Sequence, residues 1–520
     1  MRAPRLLSVA LSLLLQAGCS SCRRTSGPTL SPRSLAPADA VAYVEAPSLG
    51  RLAGHLAELS QPLALLPGGE ALGMGLDQLS ATLGFDPRQP AALASAGLDG
   101  TRPAALVVEG AAAWAALPVR DEGRFRAAIE RLAASRLGAP APREQGGVLR
   151  FQGPSGEAAL AFRGGYALVG SSDASAPLLA RGLSRPLEAS LERSPVAPLV
   201  FRRLLPGEDL LAYVSKGALP PSLSRLPGLG FGASLSLANR RVTLRALDVF
   251  SVGEGAGLSP LALPAGGDLV PLLPPGAPIV GRLGGEPAAL AQAWTWLLPA
   301  ALVDAAREAK LDLGQELFAN LRPGIAFALG LAPKPDFSSA SWDPRRGNPF
   351  RVATLEAVGR VRDPAKALAA LPKLLALAPR FGASAERRDA GATAAWTFRY
   401  SLGESVTVAL AGDVVVVTGG DGQLGPAVDR ALAKGARYDP PRELLRALTG
   451  HVSDGIAFDS AAAREALSAI PDSAFGGLTG ITLRALFDRA EAALGQLGPV
   501  VATLQLDADA ATIDAEVRLR

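Results

Sequence analysis

Cysteine, histidine, methionine and lysine are all scarce in this chain, with two, two, two and six residues in 520. Each shortage removes a class of chemistry. Both cysteines, Cys19 and Cys22, fall within the first 22 residues, so no disulfide and no cysteine-ligated metal holds the body that follows. His55 and His451 stand far apart, and neither has a partner at the spacing of H-E-x-x-H. His55 lies instead among Leu52, Leu56 and Leu59 on a helical pattern. Neither G-x-S-x-G nor the phosphate-binding G-x-x-x-x-G-K followed by Ser or Thr occurs. An excess of one charge is missing too: 52 basic and 48 acidic side chains leave a formal +4, too little to mark a nucleic-acid partner. No catalytic, cofactor-binding or metal-binding residue can be named, and the chain reads as a non-enzyme without a cofactor.

The place of the two cysteines is informative. Ahead of them come Arg2 and Arg5, an apolar run from Leu6 to Leu15, and the small pair Ala17-Gly18. That is the three-part pattern of a secretory signal over residues 1–18, and its apolar run is short for a membrane-spanning helix. The segment LQAGC, residues 15–19, resembles the lipobox of bacterial lipoproteins, in which a diacylglycerol is attached to the cysteine and the signal is cut before it. The resemblance implies that Cys19 is the lipidated N-terminus and that the membrane is a partner through this anchor. Ser20 stands where an inner-membrane retention signal of the enteric type carries Asp, which favours the outer membrane, on either its periplasmic or its surface face. Residues 19–34 are rich in Ser, Arg, Thr, Gly and Pro and read as a disordered tether. Cys22 reads equally as a spare thiol or a second acylation site.

Beyond the tether the chain repeats itself. LPVRDEGRFRAAIERL (residues 117–132) stands against GRVRDPAKALAALPKL (residues 359–374), each with VRD before a helical pattern. TRPAALVVEG (residues 101–110) matches LRPGIAFALG (residues 321–330), and LAPADAVAYVEAP (residues 35–47) matches LPPGAPIVGRLGG (residues 273–285). ASLSLANRRVTLRA (residues 233–246) and ATLQLDADAATIDA (residues 502–515) each read as a hairpin with alternating apolar positions. GGY (residues 164–166) and AGD (residues 411–413) sit between short apolar runs as hairpin turns. Strands this close in sequence cannot be parallel neighbours. The expectation is therefore α+β: two tandem homologous domains, residues 35–250 and 273–520, joined by a Pro/Gly-rich linker at 251–272. Each is expected to be a mainly antiparallel sheet with helices packed on one face. The arrangement resembles uncharacterised bacterial lipoproteins whose duplicated domains open with P-x-D-A-x-x-Y, here Pro37 to Tyr43; that resemblance implies architecture and location, and no activity.

Asp121 and Asp363 recur in the two VRD segments. Each precedes a helical run, with Phe125, Ile129 and Leu132 or Leu368, Leu371 and Leu375 as its apolar stripe, so both read as helix N-caps. GDGQLG (residues 420–425) fits G-x-G-x-x-G, but it follows a strand of an antiparallel hairpin and reads as a strand-to-helix turn. The uncharged run PAALAQAWTWLLPAALV (residues 287–303) reads as a buried helix, as one lining an apolar groove or as a membrane span at the lower edge of length. Two functions are compatible with these features. One is a lipid-anchored, non-catalytic binding or scaffold module that presents two similar domains to a protein partner in the envelope. The alternative is a carrier of a lipid or other hydrophobic ligand, for which Trp294 and Trp296 are the support.

Overall fold

The computed structural model describes residues 30–520 except 65–72, 75–76, 79, 81–85, 87, 140, 206, 220–227, 252–261, 264–266, 288–299, 338–347, 390–392, 401–402, 404, 421, 450–451 and 476. Cys19, Cys22, the signal, His451 and the pair Trp294 and Trp296 lie outside the described residues. Contacts divide the chain into one unit that runs to Glu254 and includes Asp509–Thr512, and a second that runs from Gly255 to Ala508 and includes Ile513–Arg520.

The first unit has strands β1 (Ala42–Ala46), β2 (Ala104–Glu109), β3 (Ala112–Pro118), β4 (Arg143–Gln145), β5 (Val148–Gly153), β6 (Gly156–Arg163), β7 (Tyr166–Gly170), β8 (Leu210–Ser215), β9 (Gly230–Ser236) and β10 (Arg241–Val249). Its antiparallel ladders give the order β10-β9-β8-β1-β2-β3-β7-β6-β5-β4. The second unit has β11 (Ile279–Leu283), β12 (Leu321–Leu331), β13 (Ala353–Val361), β14 (Ala383–Arg387), β15 (Ala394–Tyr400), β16 (Ser405–Ala411), β17 (Val414–Gly419), β18 (Asp454–Phe458), β19 (Leu497–Leu506) and, from Ile513 on, β20 (Ala510–Leu519). Its order is β20-β19-β18-β11-β12-β13-β17-β16-β15-β14, with antiparallel ladders from β19 onward. Strand for strand, the two orders are the same, and the class is α+β.

Turn chemistry fixes the shared hairpins. Arg163 pairs with Tyr166 across Gly164 and Gly165, both at positive φ, and Ala411 pairs with Val414 across Gly412, also at positive φ. Two-residue turns with positive φ match the right-handed twist of the flanking strands. VRD then closes β3 and β13 at the start of helices Glu122–Leu137 and Pro364–Leu375.

The helices cover both faces of each sheet, where the sequence reading placed them on one. In the first unit, Leu178 and Leu179 of helix Ser175–Ser184 pack with Trp114, Ala116 and Leu168, while Phe125 and Ile129 of helix Glu122–Leu137 pack with Ala115, Leu117 and Val169. Adjacent strand positions point to opposite faces, so Trp114 and Ala115 serve two cores. In the second unit Ala427 of helix Leu424–Ala431 lies with Val414 and Val416, and Ala367 of helix Pro364–Leu375 packs with Leu410 on the opposite side. The physical reason is legible in β7, YALVG, which is buried at every position; a strand without polar alternation must be covered twice. The stripe of helix Pro364–Leu375 also differs from expectation, because Ala367, Ala370 and Leu371 are buried and Leu368 is 41 % exposed.

Two boundaries shift. The expected tether ran to residue 34, but Ser31 caps a short helix Pro32–Leu35 in a reciprocal capping box and Leu35 is fully buried. The expected linker ran to residue 272, but Leu269, Val270 and Leu272 belong to the core of the second unit.

Pairing partners give a residue-by-residue correspondence between the units. Glu109 pairs with Ala112 and Val107 with Trp114; Gly330 pairs with Thr354 and Ala328 with Glu356. This places Trp114 at the position of Glu356 and keeps Asp121 at that of Asp363. On β1 and β11 the same faces place Tyr43 at the position of Val280 and Glu45 at that of Arg282. Matching those segments end to end by sequence sets Tyr43 against Gly281, one residue out. A one-residue slip turns every side chain of a strand to the other face.

Candidate functional site

Strand alternation normally turns charge outward, so a charged residue in phase with core positions is forced inside and must find partners. Each unit contains such residues on the same sheet face. In β1, Glu45 is in phase with Tyr43 and is 6 % exposed. Tyr43 Oη donates to Glu45 Oε2 at 2.5 Å, and Arg33 Nε and Nη2 donate to the two carboxylate oxygens at 2.8 and 2.9 Å. The Arg33 guanidinium also lies 3.9 Å from the Phe201 ring centroid. Burial and the Glu45 charge push the Tyr43 hydroxyl well above its ordinary range, which keeps it a donor.

A second centre ties helix Leu49–Ala64 to the start of β8. Asp209, 1 % exposed, accepts from Leu237 N at 2.7 Å, from Arg51 Nε at 3.1 Å and from His55 Nδ1 at 2.9 Å. Arg51 also donates to the Glu208 carbonyl oxygen. Burial and the neighbouring Asp209 charge raise the pKa of Glu208. Arg51 and His55 are four residues apart on one helix face, so one turn supplies both donors. An Asp–His pair is two-thirds of a triad, but among the described residues no hydroxyl hydrogen-bonds His55, and its chemistry is that of a lock between helix and strand.

In the second unit the charges at the corresponding positions differ. Arg282 of β11, 1 % exposed, donates to the carbonyl oxygens of Ala447 at 3.1 Å and Val452 at 2.9 Å, at the C-terminal end of helix Arg442–Thr449, where a cation suits the helix dipole. Close by, Asp454 accepts from Gly284 N at 2.7 Å, and burial raises its pKa. Glu356 of β13 pairs through Oε2 with Arg430 Nη2 of helix Leu424–Ala431, and Arg430 Nε donates to Leu272 O at 3.0 Å. Both side chains are more than nine-tenths buried. Burial pushes the Glu356 carboxyl up, and Arg430 opposes that shift only in part.

Beside this pair lies a cavity of about 220 Å³. Its floor is Ala328, Gly330, Thr354 and Glu356, and Gln423 and Ala466 contribute to its wall. The Oε1 atom of Glu356 is buried without a hydrogen-bond partner among the described residues. A shallower depression of about 460 Å³ lies among charged side chains including Arg464, Asp488 and Glu491. Among the described residues no group of three His, Cys, Asp or Glu is placed to hold a metal ion, and no helix is long and apolar enough to cross a membrane.

Asp121 is the N-cap of helix Glu122–Leu137, its Oδ1 accepting from Arg124 N at 3.0 Å; Asp363 caps helix Pro364–Leu375 by accepting from Ala365 N at 2.9 Å and Lys366 N at 3.1 Å. They occupy corresponding places and do not meet in a site. The glycine loop at 420–425 connects β17, antiparallel to both its neighbours, to the helix that carries Arg430. Glu45, Asp209, Arg282 and Glu356 were not singled out from sequence. The signal was present for three of them: Glu45 stands two residues from Tyr43, Arg282 two from Val280 and Glu356 two from Val358, in phase with apolar strand positions. Asp209 carries no such signal, because it precedes its strand.

No protein-family model and no curated protein matches the chain. Among solved structures, crystal form IV of TP0453 aligns at 9 % identity with a TM-score of 0.27, covering 42 % of this chain and 81 % of that one. Crystal form I of TP0453 aligns at 10 % identity with the same TM-score, covering 43 % of this chain and 80 % of that one.

Proposed function

We propose that this is an envelope protein, anchored by lipid on Cys19 in the outer membrane, that works as a non-catalytic binding or scaffold module through its two similar domains, with a protein partner. The observation that carries the reading is the repeated strand order, each copy with its own cores. Two copies on one chain offer a partner two related surfaces whose binding is linked, and linkage raises avidity without any new contact. The buried charges described above support the non-catalytic part, since Asp209, Arg282 and the Arg33–Glu45 pair are spent on holding elements together.

The capping box at Ser31 sharpens the anchoring part. Only residues 20–30 separate Cys19 from Ser31, the cap of the first helix. Even fully extended, a stretch of that length reaches at most about 40 Å, which bounds how far an anchored first unit can stand from the membrane. The carrier alternative requires an apolar space for an acyl chain, and the cavity at Glu356 is both small and charged at its floor.

Radiolabelled palmitate is expected to enter the protein in its host, and Cys19→Ala to remove labelling and membrane retention together. Labelling that persists in the mutant moves the anchor to Cys22 or ends the lipoprotein reading. Stoichiometric lipid recovered from the purified Cys19→Ala protein would favour the carrier.

A further inference from the structure

We propose that the second unit holds a binding site for a small uncharged molecule with an apolar body and one hydroxyl donor, seated in the cavity against Glu356. The site goes beyond the anchoring reading and does not depend on it.

The cavity exists because of what the second unit lacks. Its floor residues Ala328, Gly330, Thr354 and Glu356 correspond by ladder pairing to Val107, Glu109, Ala112 and Trp114 of the first unit. Trp114 is 1 % exposed and fills its position. Where the first unit has an indole and a valine, the second has a carboxylate held by Arg430 and an alanine methyl. The resulting space of about 220 Å³ can be scaled against a 150 Å³ apolar cavity that accepts benzene, which gives a ligand of roughly nine non-hydrogen atoms. The walls supply rigid apolar surface from Pro274, Pro278, Pro333 and Leu331.

Charge decides the ligand class. Arg430 balances Glu356, so the pair is already neutral. A cationic ligand would leave a buried net positive charge, and an anionic one would meet the carboxylate; both are costly away from water. A neutral hydroxyl carries no such penalty. It can donate a charge-assisted hydrogen bond to Oε1, the carboxylate oxygen that Arg430 leaves unpartnered. Gln423 and Ala466, at the wall, are partly exposed, which gives a route of entry.

The test uses the full chain and fluorine NMR of 4-fluorophenol, with fluorobenzene and 4-fluorobenzylamine as the donor-free and cationic comparisons. 4-Fluorophenol should broaden and shift in the presence of protein and bind at least about tenfold more tightly than either comparison, the worth of one good hydrogen bond. Glu356→Gln should remove most of that preference. Ala466→Phe, which adds a ring at a partly exposed lining position on a helix, should abolish binding while leaving the fold intact. It also covers the case in which Glu356→Gln fails to fold. No binding of 4-fluorophenol overturns the site. Equal binding of fluorobenzene overturns the role of Glu356, and unchanged binding in Ala466→Phe places the ligand elsewhere and overturns the assignment.

Discussion

Trp114 and Glu356 stand at the same position of the same sheet topology, and both are buried, yet one is an indole and the other a carboxylate. The same contrast runs along the next strands. Tyr43 faces Tyr213 across β1 and β8, whereas Val280 faces Ala457 across β11 and β18; Glu45 in the first unit becomes Arg282 in the second. In each case the partners changed with the residue. Glu45 is met by Arg33 from the short helix that opens the fold, Arg282 by carbonyls at the end of helix Arg442–Thr449, and Glu356 by Arg430. The first unit fills this face with aromatic bulk beside its Arg33–Glu45 pair, while the second has the Glu356–Arg430 pair in place of the indole and leaves a cavity. A fold therefore fixes the direction in which a position points without fixing its polarity, provided that a neighbouring element supplies the compensating group.

The largest expected effects come from breaking these two solutions. Arg430→Met leaves the Glu356 carboxylate buried without its cation and should cost about 3–5 kcal/mol. Trp114→Ala opens a cavity in the first unit and should cost a similar amount, about 3–5 kcal/mol. Hydrogen exchange separates the two, because each variant should lose protection mainly in its own unit. The double variant Glu356→Leu with Arg430→Met should recover most of the loss of the single Arg430 variant. If the double variant is no more stable than Arg430→Met alone, the pair is not the unit of stabilisation.

A smaller effect follows from pH. Burial raises Glu356 and Asp454 in the second unit and Glu208 in the first. A carboxyl whose folded pKa lies above its unfolded value binds its proton more tightly when folded. Its contribution is complete below the ordinary value, 4.5 for Glu and 3.8 for Asp, and is lost as pH rises through the raised folded value. Denaturation midpoints should therefore fall as pH rises from about 4.5, and Glu356→Gln should flatten that slope in the second unit. An unchanged slope in the Gln variant would place the proton uptake elsewhere.

The paired caps test how alike the units are where the sequence is alike. Asp121→Ala and Asp363→Ala should each cost about 1 kcal/mol. Asp363 should lose somewhat more, because its carboxylate serves two backbone N–H groups where that of Asp121 serves one. Equal unfolding midpoints for wild type and both variants would remove the capping role.

Much of the fold was readable for a physical reason: hairpin turns and N-caps are local devices with narrow residue requirements. The glycines at 164, 165 and 412 and the aspartates of VRD therefore announce themselves. Register was less readable. The segments around Tyr43 and Gly281 align in sequence one residue away from their sheet faces, because a short apolar strand such as IVGRL has no strong alternation to fix its phase. Coverage of both faces was written in YALVG and VVVVTG, whose continuous apolar runs need two layers. The candidate site was the least readable. In ATLEAVGRV the phase of Glu356 is shared by Val358 and also by Thr354 and Arg360, so the alternation marks an inward carboxylate only weakly. Arg430, seventy-four residues away, is joined to it only by the tertiary fold.

The smallest expected effect concerns the solvent side of the two matched helices. Arg126 Nε donates to Glu130 Oε1 at 2.9 Å, one turn apart, and both side chains are more than a third exposed. The VRD correspondence that sets Asp121 at Asp363 also sets Arg126 at Leu368 and Glu130 at Pro372. The second helix thus has an exposed leucine and an interior proline where the first has an ion pair. An exposed pair of this kind contributes about 0.3–0.5 kcal/mol and is screened by salt. Glu130→Gln should therefore move the denaturation midpoint only slightly at low ionic strength and not measurably at about 1 M salt, where the Debye length falls to about 3 Å. A loss well above 1 kcal/mol, or one that survives high salt, would mean that Glu130 holds the helix through something other than this pair. The solvent faces of the two helices would then differ in stability as well as in composition.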